Sequence, residues 1–219
     1  MRTVIAGGNG KIALRLERLL AGRGDDVAGL IRNPDKAEQV RSTGAQALVC
    51  DLESATVDEV AELLVGADAA VFAAGAGPGS GLERKDTVDR AAAELLADAA
   101  AKAGVRRFLV VSSMGADTDP PADTDPVFAA YLRAKGAADA AVRAHDDLDW
   151  TILRPGMLTD DPGTGRVHLA ESTGRDRITR DDVATVLAAL LDTPATAGRT
   201  LELVNGDTPV PDAVADLTR

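Results

Sequence analysis

Short apolar runs alternate along the chain with stretches in which apolar residues return every third or fourth position. The runs at residues 3–6, 26–31, 45–50, 69–72, 107–111 and 149–153 have the length of strands buried on both faces, and the stretches between them have the period of helices that bury one side. Ile12, Leu16, Leu19 and Leu20 form one helical stripe, ended by Gly22-Arg23-Gly24, and Val57, Val60, Leu63 and Leu64 form another. Pro34 opens a short helix to about residue 40, residues 86–103 are rich in the Ala, Leu and Glu that favour a long one, and residues 127–145 predict a further one. Gly75-Ala76-Gly77-Pro78-Gly79-Ser80-Gly81 can only be a loop, and the Pro/Asp-rich residues 117–126 read as a second. Beyond the sixth strand the pattern predicts a loop at 158–165, a strand at 167–170, a helix at 181–191 and a strand at 200–204.

Strands alternating with helices predict an α/β fold built on a doubly wound parallel sheet of the Rossmann type. Its strand order is 3-2-1-4-5-6, with a ligand crevice between strands 1 and 4. One domain is expected across residues 1–219, because residues 156–219 are too few for a second core and read as a small cap on the substrate side.

The turn after the first strand carries the first candidate chemistry. In Gly7-Gly8-Asn9-Gly10-Lys11-Ile12-Ala13, Gly7 permits a tight turn and Gly10 lets the backbone approach an anion without a Cβ in the way. The free N–H groups around Asn9, Lys11 and Ile12 point to where a pyrophosphate would sit, and small Ala13 lets the helix pack close on the strand. The second strand ends in Arg32-Asn33. An acidic residue there would hold ribose hydroxyls, whereas an arginine pairs with a 2′-phosphate, so NADP(H) is expected in preference to NAD(H), with Lys36 nearby to reinforce it.

In Tyr131-Leu132-Arg133-Ala134-Lys135 the tyrosine and lysine share a helix face, which brings an ammonium within reach of the phenol and favours phenolate. Tyr131 is therefore a candidate general acid/base. Lys135 is placed to tune it and to hold a nicotinamide ribose, and Ser113, at the end of the fifth strand, to orient a substrate oxygen.

The net charge of −11 and scattered basic residues argue against nucleic acid. The single cysteine, Cys50, excludes an intrachain disulfide and reads as a buried strand end. No run approaches the ~20 apolar residues of a membrane span, and the early glycines leave no room for a signal-peptide apolar region; a cytoplasmic location is expected. Asp160-Asp161 and Asp181-Asp182 lack neighbouring histidines and read as solvated loop and helix-start charges, so no metal site is expected. His145 reads as a partner of a helix C-terminus, His168 as a strand residue of the cap, and Trp150 as core.

Taken in order, Gly7-x-x-Gly10-x-x-Ala13, Arg32-Asn33-Pro34, Asp51-Leu52, Ala73-Ala74-Gly75, Val111-Ser112-Ser113, Tyr131-x-x-x-Lys135, Arg154-Pro155-Gly156 and Ile178-Thr179-Arg180-Asp181-Asp182-Val183-Ala184 resemble the atypical short-chain dehydrogenases/reductases. The chain is most similar to their small bacterial NAD(P)-binding epimerase/dehydratase branch, with NmrA-like and biliverdin-reductase-B-like proteins as relatives. The resemblance implies cofactor contacts from Asp51 and Leu52 at the adenine, Ala73, Ala74 and Gly75 at the adenosine ribose, and Pro155, Gly156 and Met157 at the nicotinamide. Asn33 and Ser112 flank those contacts, and Asp89 matches the Asn of the family's Asn-Ser-Tyr-Lys tetrad. It implies an NADP(H)-dependent oxidoreductase for a small carbonyl or alcohol, or an epimerase using the same parts. A non-catalytic NADP(H) sensor of NmrA-like type, or a flavin/biliverdin-type reductase, is the alternative. Superfamily members often pair through the helices at 86–103 and 127–145, and both a monomer and a homodimer are open.

Overall fold

A computed structural model of the chain describes residues 1–77 and 79–219, so Pro78 of the glycine-rich loop lies outside the described residues. The first half alternates strictly. Strand β1 (Arg2–Ala6) leads to helix α1 (Lys11–Gly22), β2 (Asp26–Ile31), a 3-10 turn into α2 (Ala37–Arg41), β3 (Gln46–Val49), α3 (Val57–Leu64) and β4 (Ala69–Phe72). Then come a short α4 (Leu82–Arg84), a π-helical stretch at Lys85–Ala91, α5 (Ala92–Ala103), β5 (Arg107–Val111), α6 (Pro126–Arg143) and β6 (Asp149–Pro155). These six strands run parallel in the order 3-2-1-4-5-6, as the sequence pattern predicts.

Alternation along each strand sends neighbouring side chains to opposite faces. Ile5, Val71, Leu109 and Leu153 join α1 on one face, while Val4, Phe72, Phe108 and Ile152 join α3, α5 and α6 on the other. Two apolar layers thus grip one sheet, and the strands' carboxyl ends meet along the crevice.

Residues 156–219 do more than cap. β10 (Arg199–Asn205) adds a seventh parallel strand beside β6, and β8 (Arg166–Ala170) and β11 (Thr208–Pro209) continue the sheet antiparallel. Helix α7 (Arg180–Leu191) packs beside α1 in the first core layer, and α8 (Val210–Asp216) ends the chain. Among the described residues, β7 (Met157–Thr159) and β9 (Arg177–Thr179) form a separate two-stranded sheet. The predicted loop at 158–165 therefore begins with a strand, because its partner lies about twenty residues on and no local periodicity announces it. The helix predicted at 86–103 begins at Leu82 instead and passes through the π turn, which leaves Lys85, Val88 and Asp89 buried. Trp150 is half-buried against the second core layer.

Candidate active site

Three adjoining cavities make one cleft across the carboxyl ends of the strands. The first, about 230 Å³, lies over the ends of β2 and β3 and is lined by Arg32, Cys50, Asp51, Leu52 and Glu53. It meets the second, about 670 Å³, at Asn9, Ala74 and Gly75. The second meets the third, about 470 Å³, at Ser112, Phe128, Tyr131 and Leu158. Pro155, Gly156 and Met157 line the third cavity with Ser113.

The glycine turn is built for close approach. Gly7 has φ +78°, and a Cβ there would stand 2.6 Å from the Ala74 backbone. The Gly10 N–H closes the turn onto the Gly7 carbonyl at 2.7 Å, and Ala13 is fully buried behind it. Helix α1 has neither a capping side chain nor an acid in its first turn, whereas α3, α6 and α7 are capped by Thr56, Asp125 and Thr179. Its unfilled N–H groups and dipole suit the pyrophosphate of a dinucleotide, and the cleft offers room on both sides of it.

At the first cavity Arg32 is ion-paired with Glu53. Glu53 also accepts from Arg84 Nη2 at 2.9 Å and from Thr87 Oγ1 at 2.6 Å, and its N–H donates to Asp51 at 3.1 Å. Arg84 joins Arg32 through their shared partner Glu53, which lies in the segment after β3, and nothing local in the sequence pairs the two. Asn33 caps the turn after β2 by accepting the Asp35 N–H, and does not line the cleft. Cys50 is not a buried strand end: it follows β3, is half-buried and faces the first cavity, where burial pushes its thiol pKa up.

At the other end Tyr131 lines both the second and third cavities, and Ser113 lines the third. Gly136 makes this meeting possible. A Cβ there would overlap the Ala116 carbonyl, so a glycine inside α6 lets the turn after Ser113 press against the helix that carries Tyr131. The Lys135 ammonium does not hydrogen-bond the phenol. It donates to the carbonyls of Val111 at 3.1 Å and Ala74 at 3.4 Å, pairs with Asp89 Oδ1 at 3.5 Å, and stands 6.0 Å from the centre of the Tyr131 ring. Fully buried Asp89 accepts the Ala76 N–H at 3.2 Å, so it anchors both the loop after β4 and Lys135.

A second lysine, which sequence periodicity misses, joins them. Lys85 lies over the Tyr131 ring at 5.4 Å and donates to the Gly77 carbonyl at 3.1 Å. Both lysines give the phenol a cationic setting. Below it, Ser112 Oγ donates to Asp139 at 2.9 Å, Arg154 Nη2 donates to the same oxygen at 2.6 Å, and Arg154 also grips Asp117. This buried pair ties the ends of β5 and β6 to α6. Asp139 follows Lys135 by one helical turn, a spacing the sequence does show.

Two acidic groups do more than solvate. Asp160 receives Lys11 at 2.6 Å and Arg180 at 2.9 Å, joining the loop after β7 to the first turn of α1. Asp182 is buried and accepts the N–H groups of Thr164 at 2.9 Å and Gly165 at 2.8 Å. His145 lies between Asp98 and Asp147, and His168 is exposed on β8 away from the cleft. No group of three or more His, Cys, Asp or Glu among the described residues is arranged to hold a metal ion, and no described helix is long and apolar enough to cross a membrane.

Glu17 stands against the turn from within. Its fully buried carboxyl meets the contact between Gly8 and Gly29 and accepts the Thr43 hydroxyl at 3.2 Å. Burial pushes its pKa up to about 7, against the pull of Thr43. Since the folded value exceeds the unfolded one of 4.5, the stability it contributes is complete below pH 4.5 and is lost as pH rises through about 7. Ionisation costs about 3 kcal/mol at pH 8. Glu17→Gln is expected to raise the melting temperature at pH 8 and to flatten its fall between pH 5.5 and 8; parallel melting curves for both proteins would contradict this.

A family model described as NAD(P)H-binding matches residues 7–194. The chain is 35% identical over 218 residues to YhfK of Bacillus subtilis, an uncharacterized sugar epimerase, covering 99% of this chain and 100% of that one. A Bacillus halodurans structure provisionally assigned to the NAD-dependent epimerases/dehydratases superposes with a TM-score of 0.89 at 35% identity over 99% of both chains. ChuY of Escherichia coli O157:H7, an anaerobillin reductase, superposes with a TM-score of 0.78 at 25% identity over 94% of this chain and 98% of that one. The chain belongs to the NAD(P)H-binding family, within the atypical short-chain dehydrogenase/reductase branch of Rossmann-fold oxidoreductases and epimerases.

Proposed function

We propose that the protein is an NADP(H)-dependent oxidoreductase that moves a hydride to or from a small carbonyl or carbinol carbon. The observation that carries this reading is the continuity of the cleft. It runs from the Arg32–Arg84 cluster, over the uncapped start of α1, to a cavity shared by Tyr131 and Ser113. Bound there, the dinucleotide supplies the hydride. Gly7 and Gly10 leave room for its pyrophosphate, the N–H groups at the start of α1 hold it, and Arg32 with Arg84 offers charge to a 2′-phosphate.

Tyr131 donates its phenolic proton to the substrate oxygen during reduction and takes it back during oxidation. Ser113 hydrogen-bonds the same oxygen. Lys135, fixed by two carbonyls and Asp89, and Lys85, fixed by Gly77, keep positive charge beside the phenol whichever way the proton moves. An epimerase would use the same groups twice, on two faces of one carbon.

Calorimetric titration with NADPH, NADP⁺, NADH and NAD⁺ tests the cofactor half of this reading. Tighter binding of the phosphorylated pair supports it, and no binding of any of the four would contradict it.

A further inference from the structure

The third cavity holds a cation, Arg175, that has no protein partner among the described residues. Five basic side chains line the second and third cavities. Lys11 and Arg180 are both paired with Asp160, Lys135 is paired with Asp89, and Lys85 is held by the Gly77 carbonyl. Arg175 alone has neither a carboxylate nor a hydrogen-bond acceptor among the described residues. Its guanidinium stands beside the turn after Ser113, 3.7 Å from where a Cβ on Gly115 would be.

The adjacent Asp176 lines the same cavity but forms no ion pair with Arg175 among the described residues. Asp176 Oδ1 accepts the Arg177 N–H at 2.8 Å, and its carbonyl accepts the Met157 N–H at 3.0 Å. The remaining walls are mostly apolar, from Met114, Phe128, Pro155, Met157 and Leu158. Phe128 is 49% and Met157 69% exposed at this mouth, and Phe128 stacks on Tyr131 with ring centres 5.9 Å apart.

We propose that Arg175 is the specificity-determining residue of the substrate site, and that the substrate is a carbonyl or carbinol compound with an apolar body and an anionic group. The apolar body lies against Phe128 and Met157, the anion meets the Arg175 guanidinium, and the reacting oxygen reaches Ser113 and Tyr131. This rests on the functional reading above, which places the reacting carbon in the third cavity. Arg175 is exposed and brings a positive charge to a cavity whose lining carries one carboxylate, that of Asp176. Its fork matches either a carboxylate or a phosphate ester.

The test is binding, independent of turnover. Two charged–neutral pairs are titrated in the presence of NADP⁺: 3-phenylpropionate against its isostere 3-phenylpropanamide, and flavin mononucleotide against riboflavin, which lacks only the phosphate. Wild type, Arg175→Gln and Arg177→Gln are compared, the last removing the same charge two residues away. Wild type is expected to prefer one charged probe over its neutral partner by about 10- to 100-fold. Arg175→Gln should abolish that preference and Arg177→Gln should preserve it; the pair that responds identifies carboxylate or phosphate. Equal binding within both pairs, binding of no probe, or a preference that survives Arg175→Gln would overturn the proposal. Arg175-dependent binding in a protein that never oxidises NADPH would leave this site standing and refute the oxidoreductase reading alone.

Discussion

Tyr131→Phe is expected to slow carbonyl reduction by NADPH about 10²- to 10⁴-fold, the range for loss of a positioned general acid. Cofactor affinity should not change. The ring keeps its stack on Phe128 and its place beside Lys85 and Lys135, so the cavity wall survives and only the proton donor is lost. Steady-state rates across a carbonyl panel, with NADPH titrated by calorimetry on the same preparations, separate the two effects. Equal rates in both proteins would show that proton delivery does not pass through Tyr131. Reduction of a flavin that survives the substitution would favour a flavin-type reductase instead.

Arg32→Glu is expected to weaken NADPH binding by about 10²-fold and NADH binding much less. Arg32 and Arg84 converge on Glu53 at the rim of the first cavity. A charge-assisted hydrogen bond is worth about 1.5–3 kcal/mol, and reversal adds repulsion from a second carboxylate beside Glu53. Folding should be nearly untouched, because Arg32 is half exposed and a surface ion pair contributes only about 0–1 kcal/mol. Titration of the variant with both reduced nucleotides and a thermal melt check these expectations together. Equal loss for NADH and NADPH would mean that Arg32 supports the adenosine end without reading the 2′-phosphate.

The first six strands of the parallel sheet were legible as short apolar runs, because a strand covered by helices on both faces is apolar at nearly every position, as residues 107–111 show. The placement of the glycine turn and of the Tyr131–Lys135 pair at the cleft was legible because it depends on local spacing. What escaped depends on contacts between distant segments. β7 and β9 are three residues each and exist by pairing with one another, and β11 has only two. Lys85 enters the site through a π turn, whose register differs from the 3.6-residue period by which a helix face is read. Asp139 stands among alanines, and its place in the site depends on Arg154 of β6 and Ser112 after β5, which are distant in the sequence. Asp160 likewise becomes a link between the segment after β6 and α1 only through Lys11 and Arg180.

Deuteride transfer from the cofactor to a carbonyl carbon separates hydride chemistry from cofactor binding alone. The protein is incubated with NADPH carrying deuterium on one or the other face of C4, together with a panel of small carbonyl compounds, and the alcohols are analysed by mass spectrometry. Deuterium is expected on the carbinol carbon of at least one product, delivered from one labelled face only. Bound NADPH with no label transferred to any carbonyl would contradict it.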